Sequence, residues 1–185
     1  MKMNKHICLA LLMGSICITG FAQRSYQKSL GLRLSTTYYD LVSASYKFFL
    51  SDAGAIELNG GFGLKSYTRG HYVGNVYTDD GVKPFSLAIS GSYQHHFEIP
   101  VRRGGLSWFV GGGVTGYRVF SSAGDYDGFG FGFFPTGGID FKIPNIPLAV
   151  SADYRPTIFI AQPDYYDSFY GGNFGVSARY TFGNK

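Results

Sequence analysis

Between Ser29 and Phe182 apolar residues recur at every second position in run after run, and nearly every charge in those runs falls on the opposite parity. Leu30-Gly31-Leu32-Arg33-Leu34-Ser35 sets the pattern, and Leu148-Ala149-Val150-Ser151-Ala152-Asp153-Tyr154-Arg155 repeats it. A period of two places the two sets on opposite faces of a β-strand. No helical periodicity of useful length competes with it. Beyond the N-terminal segment no apolar run approaches the ~18 residues that a transmembrane helix needs. The 27 glycines and the 18% aromatic content agree with an all-β chain.

The N-terminus reads differently. Lys2 and Lys5 form a basic region, Ile7 to Ile18 a short apolar core, and Gly20-Phe21-Ala22 places small residues at the −3 and −1 positions before Gln23. This pattern predicts a cleaved secretory signal peptide over 1–22 and a single domain over 23–185. Cys17 follows Ile16, where lipid attachment requires a small residue, so the segment does not read as a lipoprotein signal. Both cysteines, Cys8 and Cys17, fall inside it, so the exported chain folds in an oxidising compartment without a disulfide. Loss of Lys2 and Lys5 lowers the formal charge from +4 to +2, with 14 basic residues against 12 acidic. No run of lysine and arginine remains, and nucleic-acid binding is excluded on charge.

Eight strands are predicted near 28–36, 41–50, 55–66, 85–97, 106–118, 129–142, 147–158 and 169–182. Each meets or slightly exceeds the ~9–11 residues with which a tilted strand crosses a bilayer. Ser51-Asp52-Ala53-Gly54, Pro100 to Gly105 and Pro144-Asn145-Ile146-Pro147 are short connections built from turn residues. The stretches 67–84, 119–128 and 159–168 are longer and rich in Tyr, Asp and Gly, while Thr37 to Asp40 is short. Long loops at one end and tight turns at the other define an eight-stranded antiparallel up-and-down transmembrane β-barrel, all-β, with both termini on the periplasmic side. Pro135, inside the sixth strand, predicts a bulge or break there, and Pro156 falls near the outer end of the seventh.

The faces separate cleanly. One parity carries Leu32, Leu58, Ile89, Trp108, Val114, Ile139, Val150 and Val176 among many others, with aromatics toward the strand ends at Phe48, Phe97, Phe141, Tyr180 and Phe182. The other carries Arg33, Lys47, Glu57, Lys65, Asp140, Lys142, Asp153, Arg155 and Arg179, with Ser, Thr, Asn and Gln beside them. Arg118 falls on the apolar parity, but at the outer end of its strand, where it can reach headgroups. A lysine or arginine facing lipid at mid-bilayer costs ~2–4 kcal/mol, so this segregation suits a lipid-facing wall. A soluble ligand-carrying barrel uses the same alternation turned inside out. The aromatic girdles, the glycines on the polar parity (Gly61, Gly63, Gly111, Gly113, Gly130, Gly132) and the final Tyr180 and Phe182 favour the membrane arrangement with a narrow lumen.

The opening strand Leu30 to Ser35, the Tyr46-Lys47-Phe48-Phe49-Leu50 strand and turn, and the close Gly175-Val176-Ser177-Ala178-Arg179-Tyr180-Thr181-Phe182 resemble the small eight-stranded outer-membrane barrels of the OmpA/OmpX type. Among these the chain is most similar to the plain outer-membrane β-barrel domain of Bacteroidetes-type envelopes. The resemblance implies an outer-membrane location and a lumen filled by a cluster of charged side chains. It says little about function; the expected role, read from the residues, is non-enzymatic and structural or surface-interacting.

On the residues themselves, Arg33, Lys47, Glu57, Asp140, Asp153, Arg155 and Arg179 project into a narrow low-dielectric space. They are expected to pair there, as a structural plug or as a gated path. No catalytic, cofactor-binding or metal-ligating set is predicted. His95 and His96 are adjacent and point to opposite faces; no His-x-Ser of the lipid A deacylase kind occurs, and His71 has no patterned partner. Gly111-Gly112-Gly113 and Gly128-Phe129-Gly130-Phe131-Gly132 do not precede helices, so they are not phosphate loops. Expected partners are outer-membrane lipid or lipopolysaccharide, with extracellular or envelope proteins as candidates at loops 67–84, 119–128 and 159–170. A small pore, an accessory barrel of a secretion complex and a lipid-modifying enzyme are the alternatives.

Overall fold

The computed structural model describes residues 26–64, 67–73, 76–122, 127–164 and 166–183. The expected signal peptide and Lys65 lie outside the described residues. The strands are β1 Lys28–Ser35, β2 Val42–Phe49, β3 Gly54–Leu64, β4 Tyr67–Val73, β5 Val76–Val82 and β6 Phe85–Ile99. They continue with β7 Gly105–Phe120, β8 Gly128–Lys142, β9 Leu148–Tyr154, β10 Thr157–Ala161, β11 Phe169–Tyr170 and β12 Phe174–Phe182. β1, β2, β3, β6, β7, β8, β9 and β12 pair in that cyclic order, every pair antiparallel, and the β12–β1 ladder closes the ring. The protein is a closed eight-stranded antiparallel β-barrel. Closure removes the free strand edges that an open sheet would have to protect.

Alternation decides which face each side chain takes. Along β12 the burial reads exposed, buried, exposed, buried without interruption from Phe174 to Phe182. Leu32, Leu58, Ile89, Val114, Ile139 and Val176 all point outward, Ile89 with 73% of its surface exposed. Arg33, Lys47 and Arg179 point inward and are buried. The outward aromatics gather toward the two ends. Phe97 stacks on Trp108 at 4.2 Å near the short-turn end, and Phe85 lies between Phe62 and Phe120 at the long-loop end. Tight turns need the backbone to reverse within a few residues. Gly104 (φ 82°) and Asn145 (φ 64°) supply the left-handed conformations this requires.

Four sequence expectations change. The stretch 67–84 holds a second sheet, the β4–β5 hairpin, paired from Tyr67↔Val82 to Val73↔Val76. Gly74-Asn75 between two runs of β-formers is the dipeptide signal for such a hairpin. Near Pro135, β8 stays in continuous register with β7, Gly112 opposite Pro135. The break falls in its other neighbour: β8 pairs with β10 over Phe131–Phe133 and with β9 over Gly137–Lys142. Proline lacks an N–H, and Pro135 sits where no ladder on that side is formed. The seventh predicted strand is accordingly divided at Arg155-Pro156, and the Arg155 N–H donates instead to the Asn173 carbonyl at 2.8 Å. The last ring strand begins at Phe174 because Gly171-Gly172-Asn173 separates it from β11, which pairs with β10.

Candidate functional site

Large aromatic side chains project into the lumen, and glycine makes room for them. Four inward aromatics each face a glycine directly across a ladder: Phe109 and Gly138, Phe134 and Gly113, Tyr117 and Gly130, Phe159 and Gly132. A methyl group added at Gly130 would overlap the Tyr117 ring, and one at Gly113 would overlap Phe134. In so narrow a barrel a bulky side chain fits only where its cross-strand neighbour has none. The sequence predicts the glycines as the lining of a narrow lumen and none of these aromatics. Phe109, Tyr117 and Phe134 share the parity of the glycines and the charges within predicted strands, which was the available signal, whereas Phe159 falls in a stretch predicted as a loop.

Between the two ends runs a chain of groups that alternate in charge. At the long-loop end Asp40 accepts from Arg33 Nη1 at 3.5 Å. Arg33 then grips Asp153 through two contacts, Nη2 to Oδ1 at 2.7 Å and Nε to Oδ2 at 3.2 Å. Asp153 also meets Arg155 Nε at 2.8 Å, and Arg155 Nη2 reaches Glu57 at 2.6 Å. Glu57 faces two more cations, Arg179 at 3.0 Å and Lys47 at 3.5 Å. Lys47 passes on to Asp140 at 2.8 Å, and the Tyr26 hydroxyl donates to both Asp140 oxygens at 3.0 and 3.2 Å at the short-turn end.

All seven residues singled out in the sequence are thus brought together. Arg33 comes from β1, Lys47 from β2, Glu57 from β3, Asp140 from β8, Asp153 from β9 and Arg179 from β12, so the contacts cross the barrel and tie non-neighbouring strands. Neutral donors and acceptors complete the shell. Gln94 donates to Glu57 at 2.9 Å, and Arg179 donates to Ser45 and Ser151 at 2.9 Å each. Among the described residues the buried cations Arg33, Lys47, Arg155 and Arg179 equal in number the buried carboxylates Asp40, Glu57, Asp140 and Asp153. A buried charge is tolerated only when paired and hydrogen-bonded, and here the charges balance.

Each mouth carries an aromatic cluster. At the long-loop end Tyr38 stacks on Tyr166 at 4.5 Å and Tyr39 on Tyr117 at 4.8 Å, with Phe159 edge-on to both Tyr39 and Tyr117. Burial pushes the Tyr39 phenol up to about 12 and raises Tyr38 still further, so both remain neutral hydrogen-bonding groups. Burial also raises the Asp40 carboxyl, against the opposing pull of Arg33. At the other end Tyr26 packs edge-on to Phe49 at 5.3 Å, beside His96 and Phe109. His96 is buried and bonded to Ser107 at 3.0 Å, whereas His95 packs against the outward Phe97. Tyr26, Tyr38 and Tyr39 lie just outside the predicted strands, and strand parity does not reach them.

No protein-family model and no curated protein matches the chain. Among solved structures it is similar to the crystal structure of Ail, the attachment invasion locus protein of Yersinia pestis. The two are 14% identical over 86% of this chain and 100% of that one, with a TM-score of 0.46. At that level the likeness adds nothing to the barrel read directly from the strand pairing.

Proposed function

We propose that the protein is a non-enzymatic barrel of the outer membrane, of the small OmpA/OmpX kind. Its lumen is a structural plug, and its long loops and β4–β5 hairpin face the cell exterior, where they meet proteins or glycans. The observation that carries this reading is the pairing of an outward apolar wall with a filled lumen. Large aliphatic and aromatic side chains stand exposed around the ring, while charges that would normally seek water are buried inside it. In water such a molecule would be inverted; in a bilayer each face has the solvent it suits. The aromatic belts at both ends match the two interfacial regions of a membrane. The even strand number leaves both described ends of the chain beside the short turns, and the proposal assigns that end to the periplasm, where such barrels keep their short turns.

The plug reading is tested by conductance. Purified full-length protein inserted into a planar bilayer is expected to give no steady single-channel current, because the ladder from Asp40 to Tyr26 and the two aromatic clusters leave no water column. A stable ohmic conductance from the wild-type protein, lost when Arg33 or Arg179 is replaced, would make the protein a small pore instead.

A further inference from the structure

The outward wall is not uniformly bulky. Ala44 on β2, Gly60 on β3, Ile89 on β6 and Gly116 on β7 are successive cross-strand partners, so they lie side by side on the lipid-facing surface. Three of the four are alanine or glycine, and the wall sinks there into an open depression of ≈ 1110 Å³. Packing does not demand the smallness: a methyl at Gly60 would meet nothing within 4 Å, in contrast to the crowded inward Gly130. Tyr46, Leu58 and Val114 border the floor toward the short turns, and Leu87, Phe129 and Arg118 border it toward the long loops.

Arg118 gives the depression a polarity. It is half exposed on the apolar parity, its Nη2 meets Asp127 Oδ1 at 2.6 Å, and its guanidinium lies 5.8 Å from the Phe120 ring. That contact with Asp127 takes one of five N–H donors. A second, smaller depression of ≈ 590 Å³ around Ala152 and Ala178 has no charged residue in its lining. Only the first therefore combines an apolar trough with a cation at the end assigned above to the cell exterior.

We propose that this depression is a binding site for an anionic lipid of the outer leaflet, its acyl chains lying over Gly60 and Gly116 and its headgroup phosphate against Arg118. The site rests on the membrane reading given above. Its volume lies above the range of about 300–1,000 Å³ typical of single small-molecule pockets, which leaves room for more than one chain. A second copy of the barrel is a poorer occupant, since its convex apolar wall would desolvate Arg118 and bring no added anion to it. A phosphate meets the guanidinium with charge and with matching fork geometry.

The test uses the full-length protein, delipidated in detergent and titrated in native mass spectrometry with dipalmitoyl phosphatidylglycerol and, separately, dipalmitoyl phosphatidylcholine. The anionic lipid is expected to reach half-occupancy at about fivefold lower concentration, the size of one interfacial charge contact. Arg118→Gln is expected to erase the difference, and Gly60→Phe, which fills open space, to weaken both lipids. Ala178→Phe in the uncharged depression leaves the preference intact, and inorganic phosphate does not displace the bound lipid. Equal retention of the two lipids, no effect of Gly60→Phe, or a Gly60→Phe protein that loses a dimer without losing lipid would each overturn the site. Every sample is first checked for a heat-dependent shift in electrophoretic mobility. A wild-type protein recovered in the soluble periplasmic fraction without that shift overturns the membrane reading and the site together, whereas indifference to lipid charge in a shifting protein overturns the site alone.

Discussion

Glu57→Ala is expected to destabilise the barrel by about 3–5 kcal/mol, the cost of removing one partner from a buried ion pair. Glu57 is the hub of the ladder: Arg155, Arg179 and Lys47 converge on its two oxygens, and Gln94 and Asn59 donate to them as well. Without the carboxylate three buried cations lose their shared counter-charge. The measurement is urea unfolding in detergent or vesicles, followed by the fluorescence of Trp108, the single tryptophan of the chain. Asp127→Asn provides the contrast, because the Arg118–Asp127 pair is substantially exposed and such pairs contribute about 0–1 kcal/mol. A loss at Glu57 no larger than the loss at Asp127 would show that the ladder does not hold the lumen together.

The second large effect belongs to the outer face. Val114 is exposed and lies midway along β7 between Trp108 near the short turns and Phe120 at the long-loop end. Val114→Lys is expected to reduce stability in lipid vesicles by about 2–4 kcal/mol, falling to about 0–1 kcal/mol for a lysine placed near the interface. Val101→Lys, in an exposed short turn, is the interface control. On a soluble barrel the same exposed Val114→Lys would be close to neutral, since a surface lysine is well solvated. Unfolding titrations of the two variants therefore separate a lipid-facing wall from a water-facing one by the size of the loss and by its dependence on depth.

Strand parity made most of this architecture readable from the chain. Leu30-Leu32-Leu34 against Arg33 and Ser35 is a statement about faces, and a strand cannot change face without shifting its register. The inward set Arg33, Lys47, Glu57, Asp140, Asp153, Arg155 and Arg179 followed from the same rule. What parity cannot reach is how those side chains meet. The Lys47–Asp140 and Glu57–Arg155 contacts join residues 93 and 98 positions apart, and they depend on which strands the closed ring brings opposite each other. The exceptions to regularity were legible only in part. Pro135 signalled a missing ladder bond, but its effect appears in the adjacent strand, where Pro156 and the Gly171-Gly172 pair allow the chain to divide. The mouth tyrosines belong to connections, where packing against the rest of the barrel, rather than local period, decides who is buried. Phe109, Tyr117 and Phe134 were readable in principle, each on the polar parity of a predicted strand and each opposite a glycine once the register is known, whereas Phe159 fell in a predicted loop.

The central claim, a closed barrel embedded in the outer membrane, is tested most directly by one electrophoretic comparison. The protein is taken from an outer-membrane fraction and run in SDS with and without boiling. The account predicts that the unboiled protein remains a folded barrel with a mobility different from the boiled form. Recovery of the protein in the soluble periplasmic fraction, with a single band unchanged by boiling, would contradict it and turn the barrel inside out.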